Sequence, residues 1–431
     1  MKKIGMMVFV LSVFVSFDIF AWGGGGEKPI TLNVAVRDYT LDNEPPWKTG
    51  AAAYQKLHPN VKIVFEGLPY DDMRNKVLIA VAAGKGPDIA YVDCIWLGEY
   101  ASNKIIIPVT KYMNATPALK NDLYSPFLAG ATWKGEIYGP WSHTDVRTLV
   151  WNKDMFKAAG LDPEKPPTTW SQLREYAKKL TNPSKDVWGF GFPAFASEGS
   201  LDMWYPFVYQ GGKGILSDDF TKAIFNQPHG VAAMQLYYDL MWTDHASPTD
   251  LIGVEEGQHT DGFDAGKYAM IIMAGTNKTN DAYADLTRQQ FEARVGAAPY
   301  PLAPGGKVAT GSGGWIIGIT RDAKNPDVAW DFITSVLKTD NLVDFVVADG
   351  DEATYKSVVA SPKYKEYLPQ YPVRFGLMDS THFRPPVPEY LKIADALLNA
   401  MQKVLTQKAS AQEALNEAAL IADSLLAQRK W

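Results

Sequence analysis

Between residues 31 and 93 the chain changes its hydrophobic period in a fixed order, and that order restricts the fold more than any other feature. Thr31–Val36 places Leu32, Val34 and Val36 at period two, the pattern of a strand. A helix is predicted over Trp47–Leu57, ended by His58-Pro59-Asn60, and Val61–Phe65 forms a second strand. Asp71 is expected to cap a helix running to Gly84 with Met73, Val77, Ala80 and Val81 on one face, and Ile89–Val92 is a third strand. Strand–helix–strand–helix–strand implies a parallel sheet with crossover helices. In such sheets ligands bind beyond the carboxyl ends of the strands, which is where Arg37-Asp38-Tyr39 and Asp93–Trp96 fall.

At 431 residues the chain suits two or three domains, or two large lobes. A hydrophobic share of 46% is enough for a sizeable core. The 13 Trp and 21 Tyr either fill that core or, in part, line a carbohydrate site, where flat rings meet the C–H faces of sugars. Met1-Lys2-Lys3 and the apolar run from Ile4 to Phe17 have the form of a secretory leader, too short for a convincing membrane span, with cleavage expected after Ala21. Cys94 is the only cysteine, so no intrachain disulfide and no cysteine-built zinc site is possible. Lipid anchoring through a cysteine at the end of the leader is excluded for the same reason, and a free periplasmic protein is expected. Loss of residues 1–21 leaves 40 basic and 47 acidic residues, net −7, a balance that argues against nucleic acid.

Residues 149–181, LVWNKDMFKAAGLDPEKPPTTWSQLREYAKKLT, carry punctuation at each junction. Leu149-Val150-Trp151 is a strand, Asn152 a helix cap, and Gly160 a left-handed helix stop with Leu161 behind it. Pro166-Pro167 breaks the chain, and Thr169-x-x-Gln172 reads as a capping box before Trp170, Leu173, Ala177 and Leu180 at helical spacing. The wording of this run closely resembles the pattern YNKDLFKKAGLD…PPKTWDEL…AAKKLT of the bacterial extracellular solute-binding proteins, the sugar receptors of ABC importers, maltose-binding proteins among them. Other stretches fit the same resemblance. Gly84–Ile89 is similar to the family's G-x-x-PDI turn, and Gly135–Pro140 to its G-x-I-Y-G-x-P hairpin. Residues 262–275 are similar to F-x-x-G-K-x-A-M, and Asn325–Phe332 to the helix NPE-x-A-W-x-F. Ser410-x-x-Glu413 is a further capping box before the last helix.

The resemblance implies an α/β, two-lobe periplasmic-binding-protein fold of type II, each lobe a mainly parallel sheet flanked by helices, with the ligand cleft at the hinge. It implies residues 29–144 plus 276–337 as the first lobe and 145–275 plus 338–431 as the second. It implies capture of a carbohydrate, an oligosaccharide in the first instance, by hinge closure and its delivery to a membrane permease. The receptor is expected to act as a monomer with no cofactor, no metal, no nucleic-acid partner and no catalysis.

The chain lacks the phosphate-binding loop, the dinucleotide fingerprint, the G-x-S-x-G elbow, H-x-x-x-H pairs and calcium-loop spacing. A carboxylate pair for glycoside hydrolysis needs no adjacency in sequence, so a secreted carbohydrate-active enzyme is the competing class. The same receptor fold holding a polyamine or an oxyanion is another. Carried over by position, the family pattern implies a short set of ligand-binding residues. Arg37 and Asp38 follow the first strand, and Asp93 and Trp96 follow the third. Asp145 matches an acidic hinge residue, and Arg147 is expected on the other side of the crossing. Asp202 and Trp204 precede Gly211-Gly212, Asn277 stands near the place of a family Trp, Trp315 follows a Gly-Gly pair, and Arg384 lies in RPPVP. Planar charged groups can grip neighbouring hydroxyls, which is why Asp, Arg and Asn suit a sugar site.

Overall fold

The computed structural model describes residues 28–38, 45–274, 285–349, 351–367 and 371–429. The leader, residues 1–21, and Asn277 lie outside them. The chain begins β1 (Ile30–Arg37), α1 (Pro45–Leu57), β2 (Val61–Leu68), α2 (Tyr70–Ala82) and β3 (Ile89–Asp93). After several short helices and a hairpin come β4 (Thr148–Asn152), α3 (Trp170–Leu180), α4 (Glu198–Tyr209), α5 (Pro228–Tyr238), α6 (Glu256–Asp264) and β5 (Met270–Met273). Then follow β6 (Val295–Ala298), β7 (Thr310–Gly311), β8 (Trp315–Ile319), α7 (Pro326–Val336) and α8 (Thr339–Asp349). β9 (Thr381–His382), α9 (Tyr390–Leu405) and α10 (Ala411–Ala427) complete it.

Two sheets organise these elements. The first has the order β8-β3-β1-β2, with β1 parallel to β2 and β3 as the alternation predicts, and β8 antiparallel at the edge. Leu32, Val34 and Val36 are fully buried, so the period-two face is the core face. The second sheet has the order β5-β4-β6, and β4 is antiparallel to both neighbours. A mainly parallel sheet therefore holds for the first lobe and not for these three strands. Both partners of β4 are strands returning from long excursions, and they enter the sheet from the opposite end.

The predicted lobe boundaries need two corrections. β6 pairs with β4, so Val295–Ala298 belongs to the second sheet and not to the first lobe. α8 packs on α1, so Thr339–Asp349 belongs with the first lobe and not the second. In both cases burial of an apolar edge or face outweighs chain order. The last two helices, α9 and α10, pack on each other and on α4 and α5 in the second lobe.

Local punctuation is as expected in most places. Asn152 Oδ1 accepts the Met155 N–H at 3.0 Å, and Gly160 has φ +71°. The Ser410–Glu413 capping box is complete. Asp71 is not the cap of α2 but sits in its first turn, behind Pro69.

Among the described residues, the segments that run between the sheets pair with one another. Val146 bridges Ser312, Thr144 bridges Glu352, and β7 pairs with β9. Many of their polar groups are buried and paired, although Thr354 Oγ1 and the Nε and Nη2 of Arg374 are buried without a hydrogen-bond partner among the described residues. Glu352 accepts the Val146 N–H at 2.8 Å and Arg374 Nη1 at 2.7 Å, with both side chains of that ion pair almost fully enclosed. No helix among the described residues is long and apolar enough to cross a membrane.

Candidate ligand-binding cleft

A cavity of about 770 Å³ opens between the sheets, against the crossing segments. The first lobe lines it with Arg37, Tyr70, Asp93 and Trp315, all at strand ends or just beyond them. The second lobe lines it with the N-termini of α4 and α6, which bring Glu198 and Asp202, and Glu255 and Glu256. Carboxylates suit those places because the helix macrodipole is positive there. The two N-termini lie so close that a Cβ on Gly199 would stand 2.6 Å from the Glu256 carboxylate.

Asp145, Arg147, Asp202 and Arg384 form the floor. Arg147 grips Asp145 with two parallel bonds, Nη1 to Oδ1 and Nη2 to Oδ2, each 3.0 Å. Asp202 divides its carboxylate: Oδ2 takes Arg147 Nη2 at 2.6 Å and Oδ1 takes Arg384 Nη1 at 2.6 Å. Arg384 also donates to the Ser312 carbonyl at 3.1 Å and reaches the Cys94 thiol at 3.8 Å. Asp145 accepts the Gly313 N–H. Arg384 Nε lies 3.5 Å from Glu198, whose carboxyl also accepts the Tyr390 hydroxyl.

Burial pushes the Glu198 carboxyl up to about 8, against the pull of Arg384. Burial likewise raises Glu256 against Arg147, and Asp93 against Arg384. The neighbouring carboxylates hold Arg147 firmly charged despite its burial.

The aromatic groups gather on one side. Trp315 stacks on Tyr91, with Tyr70 and Trp96 edge-on at 6.0 Å and 5.8 Å, and the Arg37 guanidinium sits 5.2 Å over the indole. Tyr70 donates to Asp93 at 2.9 Å.

Of the residues predicted from sequence, Arg37, Asp93, Asp145, Arg147, Asp202, Trp315 and Arg384 come together in this cavity. Trp96 is buried behind Trp315 instead of lining the space. Asp38 is exposed and is not among the described residues of the lining. Asn277 falls outside the described residues. Arg147 does not sit across the crossing from Asp145: two residues apart in extended chain, they share a side and pair. Trp204 is the clear correction. It is fully buried, in a helix whose residues 200–209 are all buried and which packs on α5, α9 and β7. Two residues along a helix is a turn of roughly 200°, so Trp204 must face away when Asp202 faces the cleft.

Sequence reasoning missed Tyr70, Glu198, Glu255 and Glu256. Tyr70 follows the second strand and could have been found by the strand-end rule. The three glutamates had no local signal beyond their places near helix starts.

The family described as bacterial extracellular solute-binding protein matches residues 40–342. Among solved structures, an ABC transporter solute-binding protein of Thermotoga lettingae, bound with alpha-D-tagatose, superposes with a TM-score of 0.78. It is 26% identical and covers 93% of this chain and 100% of its own. A solute-binding protein of Agrobacterium radiobacter in complex with ribitol gives 0.76 at 26% identity, covering 92% and 98%. The sn-glycerol-3-phosphate-binding periplasmic protein of Pectobacterium atrosepticum is 25% identical over 307 residues, 68% of this chain and 67% of that protein. The match over most of the chain, together with a cleft between two α/β lobes, shows that this chain belongs to the bacterial extracellular solute-binding proteins.

Proposed function

We propose that the protein is the substrate-binding component of an ABC importer, and that it captures a carbohydrate or polyol by closing its lobes and hands it to the membrane permease. The observation that carries this reading is the division of the cleft. One side presents Trp315 and Tyr70, and the other presents carboxylates at two helix N-termini. Rings receive the C–H faces of a sugar, and carboxylates accept its hydroxyl protons in charge-assisted bonds. The tagatose and ribitol held by the relatives support the same ligand class.

No covalent step enters this function. Closure is selected because only the closed form lets both lobes touch the ligand, and the handover reads that form. The protein works as a monomer, exported by its leader and released near Trp22 into the periplasm. Calorimetry against D-tagatose, ribitol and maltose is the test, with chromatography of each sugar after prolonged incubation. Saturable binding of at least one with no product supports the receptor; turnover moves the protein to the enzyme class. Mass spectrometry of native material checks the leader, and an unprocessed N-terminus overturns export by cleavage.

A further inference from the structure

We infer that the cleft is a charge filter, accepting neutral polyhydroxylated solutes and rejecting their acidic counterparts, uronates and sugar phosphates alike. The inference rests on the receptor reading above and refines its ligand class. Among the described residues of the lining, six carboxylates face three guanidiniums. Arg147 and Arg384 are already engaged through their Nη groups, while the Nε–H of each is buried without a hydrogen-bond partner among the described residues. Arg147 is forked onto Asp145 and bonded to Asp202, and Arg384 is bonded to Asp202 and the Ser312 carbonyl. Both are nearly fully enclosed, so neither can turn to a new anion without abandoning a buried carboxylate. The third, Arg37, lies over the Trp315 ring in a cation–π contact, 5.2 Å from its centroid.

A second observation removes the other usual anion site. Helix N-termini bind phosphate and carboxylate through free N–H groups and the macrodipole. Here the two that open on the cavity carry the chain's own acids, Glu198 and Asp202 in the first turns of α4, which no side chain caps, and Glu255 and Glu256 on α6, so an anion approaching either end meets like charge. Glu255 caps α6 itself, its side chain taking the N–H at the third helical position.

Protonation does not rescue an anion. Burial pushes three of the six carboxyls upward, Asp93, Glu198 and Glu256. With those three neutral, three carboxylates balance three guanidiniums; with all ionised, the lining is negative. In neither state does it carry a positive surplus. A hydroxyl, by contrast, donates to a carboxylate and accepts from a guanidinium, and meets the lining whatever its state.

The test uses matched pairs on the full mature chain: D-glucose with D-glucuronate and glucose 6-phosphate, D-galactose with D-galacturonate, and ribitol with ribitol 5-phosphate. Calorimetry at pH 8 should show each anion binding about 10- to 100-fold more weakly than the neutral member that binds, the scale of a like charge at contact distance in a partly screened site. Glu255→Gln, which replaces an exposed carboxylate of the lining with a neutral amide able to cap α6, should narrow the gap, and so should Asp202→Asn, with melting curves confirming that each variant folds. An anion that binds as tightly as its neutral partner, or an unchanged gap in folded Glu255→Gln, overturns the filter and leaves the sugar receptor standing. Absence of binding by both members of every pair overturns the carbohydrate reading, and the filter with it.

Discussion

Trp315 lies flat against Tyr91, with ring centroids 4.6 Å apart and planes 8° from parallel. The tyrosine is fixed from behind, its hydroxyl 2.7 Å from Ser142 Oγ and 3.2 Å from His143 Nδ1. Ser142 N–H donates in turn to the Trp315 carbonyl at 3.0 Å. The Trp315 ring that edges the cavity is therefore held by the first crossing segment, so ring and hinge are one structure. Trp315→Ala should weaken sugar binding by about 1–3 kcal/mol, the scale of burying a large apolar side chain. Tyr91→Phe keeps the stack and loses the hydroxyl, and should cost less than Tyr91→Leu, which loses both. Calorimetry ranks the three; equal affinities for the two Tyr91 variants would show that stacking does not position the ring.

The Glu352–Arg374 pair should matter more to folding than to affinity. It is buried where two crossings meet, and Glu352 also holds the Val146 N–H. Glu352→Ala leaves a guanidinium enclosed without its counter-charge, which typically costs about 3–5 kcal/mol. Replacing both residues with Met should recover part of that loss, because no unpaired charge remains. Denaturant unfolding of the single and double variants measures it; a double variant no better than the single would assign the pair's role to the Val146 bond alone.

Trp204→Ala should lower stability by about 3–5 kcal/mol, the cost of emptying a large core site. Its effect on affinity should be no larger than that on the melting temperature implies, since the indole is fully buried. Full stability with lost binding would return Trp204 to the cleft.

That residue marks the boundary of what the sequence discloses. Caps and stops such as Asn152, Gly160 and Ser410 are decided within four residues, and reading them needs no knowledge of the rest of the chain. The parallel part of the first sheet follows from a period change at each junction. Family pattern then located Asp145, Trp315 and Arg384. Asp93, Asp145 and Asp202 were legible too, but Glu198, Glu255 and Glu256 were not, because no local pattern marks them; the pairing of Arg384 with Asp202, 182 residues apart, was equally hidden. Strand direction in the second sheet was hidden for the same reason, since it depends on where a strand returns and not on what it contains. The Asp202–Trp204 conflict, however, could have been settled from helical geometry alone.

Glu198 should make stability depend on pH. Its carboxyl is raised from 4.5 to about 8, mainly by burial. Between those values the folded chain holds a proton that the unfolded chain has released, so stability falls as pH rises through the window and levels off above it. Glu198→Gln should flatten that part of the profile and raise the melting temperature at pH 8 more than at pH 5. Scanning calorimetry from pH 4.5 to 9 provides the comparison, and parallel profiles for the two proteins would show that the carboxyl titrates normally.

The two glycines before Trp315 should respond differently to a methyl group. The three atoms nearest a Cβ on Gly313 all belong to the Asp145 carboxyl group, the first at 2.8 Å. Gly314 has φ +122°, and its Cβ would stand 2.5 Å from the His143 carbonyl and 2.9 Å from the Trp141 ring. An L-residue there meets backbone strain of about 1–3 kcal/mol in addition to the clash. The chain can relieve it only by moving the crossing that carries Trp315, because Ser142 binds the Trp315 carbonyl directly. Gly314→Ala should therefore lower both the melting temperature and sugar affinity, while Gly313→Ala acts chiefly on affinity by displacing Asp145. Melting curves and titrations on the two variants separate these effects, and a Gly314→Ala protein with native affinity would show that the crossing moves without carrying the ring.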